Sequence, residues 1–299
     1  MTNILGKSEK RFQVIIHIIL IFMALAAILP LWVLVAGSVT GEQELILEGY
    51  SLMPKTFSLD AYKYLFYKAS EIFRAYGITV FITVVGTAAS LFITPLLAYP
   101  LSRKDFKARN IFSFLVFFTM LFNGGIVPSY IMWTRIFHLK NTITALILPG
   151  LLMNGFNVVL MKNYFAQNIP AELIEAAKMD GAGEFKIFFK MILPLSLPIM
   201  ATVGLFVGIG YWNDWTNGLY YVTDAKLYSL QNLLNRILQD VQFLNSSTMT
   251  NAGVAATKQM PSASIRMAIH VVGILPIMVL YPFFQKYFVK GIAVGAVKG

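Results

Sequence analysis

Long apolar blocks alternate along this chain with short polar and basic connections. Six of them, at residues 14–34, 77–99, 111–131, 143–161, 193–212 and 265–284, have the length and apolarity of membrane-spanning helices. The first follows Lys7, Lys10 and Arg11 as a signal peptide would. Its apolar stretch exceeds the roughly 7–15 residues of a signal core, which predicts a retained span. The pattern predicts an all-α integral membrane protein with six transmembrane helices: a tail at 1–13, a membrane domain at 14–284 and a tail at 285–299. The connections at 40–76 and 213–264 are long, and the second is polar enough near 245–258 to be expected mobile. Gly124 and Gly125, inside the third block, read as helix-packing positions.

Composition sharpens this picture. At 57% apolar and 13% charged over 299 residues, the chain has too little polar surface to coat itself in water. The net charge of +10 comes from clusters between apolar blocks rather than one basic face, so juxtamembrane positioning is expected and nucleic acid is not. The absence of cysteine excludes disulfides, a thiol nucleophile and any Cys-containing metal site.

Charge also orients the chain. The two termini, residues 103–109 and residues 162–191 together hold 14 of the 24 Lys and Arg residues. The longer opposite loops collect Glu42, Glu44, Glu48, Asp60 and Glu71. The positive-inside rule then places both termini in the cytoplasm.

Several chemistries are missing. The middle four blocks contain no Asp, Glu, Lys, Arg or His, which argues against proton or ion coupling inside the chain. His17 and His270, towards the ends of the first and last blocks, read as interfacial or locally bonded side chains rather than a relay. There is no metalloprotease helix, paired-carboxylate site or nucleophile elbow, and no metal site is expected. Gly6, Lys7 and Ser8 imitate the end of a phosphate-binding loop, but the first glycine of that motif would have to fall on Met1. Energy for any active transport must come from another chain.

The inner connection at 162–192 is the most informative stretch. Pro170 and Glu172 suit the first turn of a helix and Gly181 a left-handed stop, so a short helix is predicted over 170–180. Leu173, Ala176, Ala177 and Asp180 fall on one face, where the alanines would let another backbone approach. A second short helix is predicted at 184–191, before Pro194 and Pro198. Periodicity alone leaves open an amphipathic helix lying on the bilayer.

The string EAAKMDGAGEFKIFFKMILP at 175–194 resembles the EAA motif of permease subunits of binding-protein-dependent ABC importers. Glu175, Ala176, Ala177, Gly181, Leu193 and Pro194 match, and Met191 replaces a usual isoleucine. The tail QKYFVKGIAVGAVKG at 285–299 is similar to the end of carbohydrate-uptake permeases of the maltose-permease class. Trp212, Asn213, Asp214 and Trp215 resemble the Trp-Asn segment after the fifth span of these proteins. Residues 123–128 are similar to a subgroup handling oligosaccharides or polysaccharide fragments.

The resemblance implies the type I ABC importer permease fold, in the bacterial cytoplasmic membrane. It implies a paralogous permease, a cytoplasmic ABC ATPase dimer that binds ATP and Mg, and an extracytoplasmic solute-binding protein, with no cofactor in this chain. The helix with Leu173, Glu175, Ala176, Ala177, Asp180 and Gly181 would be the coupling helix seated in the ATPase. Sugars need hydrogen-bonding groups and aromatic faces. Asn154, Asn157, Trp212, Asn213 and Trp215 are therefore candidates for the solute path, with helix bonding for the asparagines and interfacial placement for the tryptophans as alternatives. Rival readings are an ABC permease for another solute, such as a polyamine or amino-acid derivative, and a membrane scaffold or enzyme whose inner loop docks a soluble partner.

Overall fold

The computed structural model describes residues 7–250 and 262–296; residues 1–6 and 297–299 of the tails and 251–261 of the long connection at 213–264 lie outside the described residues. The chain divides into two units, residues 1–69 with 236–275 and residues 70–235 with 276–299.

In the first unit, α1 (Lys7–Ser38) covers the first predicted span and runs beyond both its ends. Its apolar side chains point outward, Phe22 being 72% exposed, as expected where lipid is the solvent. The connection after it is structured, with α2 (Glu42–Leu47) and α3 (Asp60–Tyr67). Glu44 holds this connection closed. Its carboxylate accepts the Lys55 N–H at 2.9 Å, the Thr56 N–H at 2.7 Å and the Thr56 hydroxyl at 2.6 Å. Glu42 meets the first turn of α15 (Ser262–Ala296), accepting the Ala263 N–H at 2.8 Å and the Ser264 N–H at 3.0 Å. A carboxylate there satisfies amides that no helical carbonyl can reach. His17 and His270 each donate Nδ1–H to the carbonyl four residues earlier, Gln13 and Arg266, at 2.6 Å, which fits the local reading.

In the second unit, α4 (Ala69–Ser102) is an unbroken helix of 34 residues. Its buried positions Ile72, Ala75, Thr79, Ile82, Gly86, Ser90, Thr94, Ala98 and Leu101 recur at three or four, one stripe against the core. The predicted third span is not one helix. It is α5 (Arg109–Leu121) followed by α6 (Ile126–Ile131) and a π-turn at Met132–Ile136, the two parts bent by 112°. Gly125, at φ +84°, makes the bend with its N–H donated to Asn123 Oδ1 at 2.8 Å. Within this chain no side chain crowds either glycine, and the positive φ of Gly125 serves the backbone bend.

The fourth span is also broken. α7 (Thr144–Ile147) stops before Pro149, and α8 (Gly155–Asn168) restarts behind Asn154 and continues seven residues past the predicted end, taking in Lys162. The break leaves carbonyls without helical partners, and two side chains reach them. Tyr211 Oη donates to Ile147 O at 2.8 Å, and Asn217 Nδ2 to Pro149 O at 3.0 Å. Tyr211 fits because Gly86 has no side chain: a Cβ there would lie 2.3 Å from the ring.

The fifth span begins earlier than expected. α10 (Glu184–Ile187), a π-turn at Phe188–Ile192 and α11 (Leu193–Leu195) lead through Ser196 into α12 (Leu197–Asn213), with a 79° bend set by Pro194 and Pro198. The connection at 213–264, expected as loop, contains α13 (Thr216–Tyr221) and α14 (Leu230–Thr250), whose residues from Arg236 on belong to the first unit. Leu230, Leu233, Leu234, Ile237 and Val241 bury one face of α14, so the segment expected to be mobile from 245 is helical as far as Thr250.

Two outcomes follow for stability. Gly86→Val should lower the thermal midpoint of the detergent-solubilised protein sharply. Tyr211→Phe leaves the Ile147 carbonyl unpaired at a cost of about 1–3 kcal/mol and should give a smaller drop. Equal midpoints for Gly86→Val and the parent would refute the packing. For the connection at 40–76, hydrogen bonds from Lys55, then Thr56, hold the Glu44 carboxyl below its ordinary value. A lowered carboxylate value means the stabilisation is present above the ordinary carboxylate range and lost as pH falls through the folded value. Protection of the Lys55 and Thr56 amides, measured against the intrinsic exchange rate at each pH, should fall on acidification, and Glu44→Gln should remove that pH dependence.

Candidate functional site

The connection at 162–192 folds as its residues dictate. Pro170, in extended conformation, directly precedes α9 (Ala171–Met179), one position earlier than the first-turn place expected. Glu172 lies in the first turn and Lys178 in the last, both favourable to the helix dipole. Asp180 is the C-cap and Gly181, at φ +75°, reverses the chain. The N–H of Gly181 reaches Lys178 O and that of Ala182 reaches Ala177 O, each at 2.9 Å, the paired bonds of a left-handed glycine stop.

The four residues expected to share one contact face are not equivalent. Ala177 is 7% exposed and belongs to the hydrophobic core that includes Ile169, Ile187 and Phe188. Its small side chain therefore serves close packing inside this chain, which corrects its placement on an outward face. Leu173 is half-buried. Glu172, Glu175, Ala176, Asp180 and Gly181 are exposed, and Met179 is 88% exposed. α9 thus presents a short outward ridge while Ala177 anchors its back.

A charge cluster that sequence reasoning did not single out holds this helix. Arg103 lies one residue past α4, in the basic stretch 103–109. Its guanidinium grips Asp105 through two nitrogens, Nε to Oδ1 at 2.8 Å and Nη2 to Oδ2, and reaches Glu184 Oε2 through Nη1 at 2.5 Å. Lys178 of α9 completes the cluster, 3.0 Å from Glu184 and 3.7 Å from Asp105. The Arg103 side chain is only 13% exposed and lies over the Tyr99 ring, 5.7 Å from its centroid. Hydrogen bonding from Arg103 holds the Asp105 carboxyl below its ordinary value, and Asp105 in turn raises that of Arg103. Beneath the cluster is a cavity of about 380 Å³ lined by Leu96, Tyr99, Phe106, Phe185 and Phe188 among others. The sequence signal available was Arg103 with an acid two residues on, which alone does not foretell the partner 81 residues away.

The candidate solute-path residues separate into two kinds. Asn154 is exposed and its side chain is the N-cap of α8, accepting the Phe156 N–H at 2.9 Å. Asn157 is buried on α8. Trp212 is buried, its ring 6.3 Å from that of Tyr76. Asn213 is exposed and donates to Ile209 O in its own helix at 3.1 Å, while Trp215 is 43% exposed. Between them Asp214 caps α13, accepting the N–H groups of Thr216 at 3.1 Å and Asn217 at 3.2 Å. The link from Asn217 to Pro149 joins this segment to the break in the fourth span.

Comparison with known proteins agrees with this architecture. Protein LplC of Bacillus subtilis (strain 168) is 44% identical over 274 residues, covering 91% of this chain and 90% of LplC. The polygalacturonan/rhamnogalacturonan transport system permease protein YtcP of the same strain is 40% identical, covering 97% of this chain and 99% of YtcP. The arabinooligosaccharides transport system permease protein AraQ of Halalkalibacterium halodurans is 32% identical, covering 93% and 94%. A solved structure, a bacterial ABC transporter involved in the import of the acidic polysaccharide alginate, superposes with a TM-score of 0.75 at 29% identity, covering 96% of this chain and 100% of that one. With residues 86–294 matching it and helices broken and packed as described, the chain belongs to the family of binding-protein-dependent transport system inner membrane components, the permease subunits of ABC importers.

Proposed function

We propose that this chain is the pore-forming half of an ATP-driven importer for an oligosaccharide or polysaccharide fragment, and that α9 is the helix through which a separate ATPase acts on it. The observation that carries the reading is the construction of α9. It starts at Pro170, is stopped by the paired backbone bonds at Gly181, is anchored from behind by Ala177, and offers Glu172, Glu175, Ala176, Met179 and Asp180 outward. A ridge held this firmly can deliver a push without losing it to local fraying. ATP and Mg belong to the ATPase dimer; this chain supplies no nucleotide site. A paralogous permease completes the pore, and an extracytoplasmic binding protein delivers solute at the end that carries α13.

Support for a carbohydrate comes from relatives named for polygalacturonan, rhamnogalacturonan and arabinooligosaccharide transport and from the alginate importer. On the path itself, Asn154, Asn213 and Trp215 are the exposed candidates. Asn157 and Trp212 would act from behind them. Both termini face the cytoplasm in this arrangement, as does α9.

The docking role has a direct test. Met179→Asp and Ala176→Arg alter only exposed positions, so they should insert and pair with the partner permease, yet lose the ATPase in detergent pull-down and abolish uptake. Retention of the ATPase by both would sink the assignment. Ala177→Leu should instead lower the thermal midpoint, because overpacking a filled core costs about 1–3 kcal/mol. Gly181→Val strains a left-handed position by about 1–3 kcal/mol and should weaken uptake through misplaced geometry.

Orientation is checked by exploiting the cysteine-free sequence. Met53→Cys, at a position 77% exposed, should react with an impermeant thiol reagent in intact cells, and Met179→Cys should not. The reverse labelling would invert the topology.

A further inference from the structure

The second unit must carry a displacement at α9 towards the opposite membrane face, and most of its helices are poorly suited to that task. The third span is bent by 112°, the fourth is interrupted between Ile147 and Gly155, and the fifth is bent by 79°. A bend can absorb a displacement applied at one of its ends. α4 is different. It runs without interruption from Ala69 to Ser102, and although Pro95 and Pro100 each withhold an amide, the helix continues through both.

α4 is also gripped at both ends by groups from elsewhere in the unit. At one end, Arg103 ties it to Glu184, which Lys178 of α9 also binds. Arg103 is suited to this because its planar fork can hold the Asp105 carboxylate in two bonds and still present a third nitrogen to Glu184. At the other end, Thr79 Oγ1 accepts the N–H of Leu230, the first residue of α14, at 2.7 Å, and Arg74 donates to Ala225 O at 3.4 Å. The Leu230 N–H is a first-turn amide with no helical partner, so Thr79 fixes the start of α14. From Thr79 to Arg103 the helix covers about 36 Å at roughly 1.5 Å per residue.

We propose that Arg103 is the positioning residue that fastens the ATPase-docking helix to α4, and that α4 relays displacement between α9 and the α13–α14 segment where Thr79 holds Leu230. This rests on the reading of α9 as the docking helix. The direction of signalling is reciprocal: solute delivery at the α14 end alters the ATPase by the same link through which the ATPase alters that end. Breaking either grip disconnects the two ends and leaves each fold intact.

The test is a double-mutant cycle on the assembled importer in proteoliposomes, with Arg103→Gln, Thr79→Val and both together. The readouts are basal ATP hydrolysis, hydrolysis stimulated by solute-loaded binding protein, ATPase pull-down and the thermal midpoint. Each single variant should keep the ATPase and the basal rate but lose stimulation by about fivefold or more. The double should be no worse than the worse single, because one relay cannot be disconnected twice. Glu184→Gln should reproduce Arg103→Gln, and Arg103→Lys, which keeps the charge but not the fork, should recover only part of the stimulation.

Two independent losses that multiply would overturn the relay, since sites this far apart without shared partners act additively in free energy. Unchanged stimulation in Arg103→Gln, or loss of the ATPase from that variant, would overturn it as well. If Met179→Asp and Ala176→Arg both leave the ATPase bound while the cycle is still non-multiplicative, the fault lies with the docking assignment and the relay stands.

Discussion

Inside hydrocarbon no water is available to satisfy a backbone amide or carbonyl, so every interruption of a membrane helix must be closed by the protein itself. This constraint organises the second unit. Its third, fourth and fifth spans are interrupted, and each interruption is met by a specific side chain. Asn123 takes the Gly125 amide, Asn154 caps the restart of α8, and Tyr211 and Asn217 take the carbonyls left by α7 and Pro149. Ser196 donates to Ile192 O at 2.6 Å where the fifth span bends. The most dependent of these is Tyr211, whose ring crosses the core only because Gly86 leaves room. The three middle segments and α4 therefore form one interlocked packing problem.

A second layer of order lies at the α9 end. Exposed ion pairs contribute little, because solvent screens them and long side chains lose entropy on pairing. Asp105, Glu184 and Lys178 are of that kind, being 60%, 54% and 41% exposed. Arg103 is not. Shielded against Tyr99 and bonded to two carboxylates, it gives the cluster a fixed geometry that the flanking charges alone would lack. α9 is thus located from two sides, by an apolar anchor at Ala177 and by the charge cluster through Lys178.

Much of this was legible in the sequence where a single local rule decides. The apolar blocks placed the spans, and Pro170, Glu172 and Gly181 placed α9 to within a residue at each end. The breaks were less legible because a window of apolar residues looks alike whether the helix is straight or bent. Pro149-Gly150 and Asn123-Gly124-Gly125 carried the turn signal inside blocks whose hydropathy outweighed it. α14 was missed for the opposite reason. Its spacing of Leu230, Leu233, Leu234, Ile237 and Val241 is helical, but its polar remainder reads as loop to a search for spans. The outward role expected of Ala177 failed because helical periodicity names a face without saying whether the neighbour is another chain or this one's own core. Arg103 with Glu184, Tyr211 with Ile147 and Gly86 with Tyr211 are long-range pairings, and no single sequence specifies those by local pattern.

The interrupted spans and the unbroken α4 make complementary sense. Breaks give a permease the non-helical backbone and the side-chain groups, such as the Asn154 cap and the Asp214 turn, that a uniformly helical bundle would bury in its own hydrogen bonds. They also make those segments compliant, because a helix with missing backbone bonds bends most easily where they are missing. A subunit built only of such segments would dissipate motion applied at α9. An uninterrupted helix, striped with small and apolar residues on its buried face and fastened at both ends by polar contacts, supplies the stiffness that the others give up. The position of Gly86 midway along that stripe, against the ring that closes the fourth-span break, ties the stiff element to the compliant ones at one close contact.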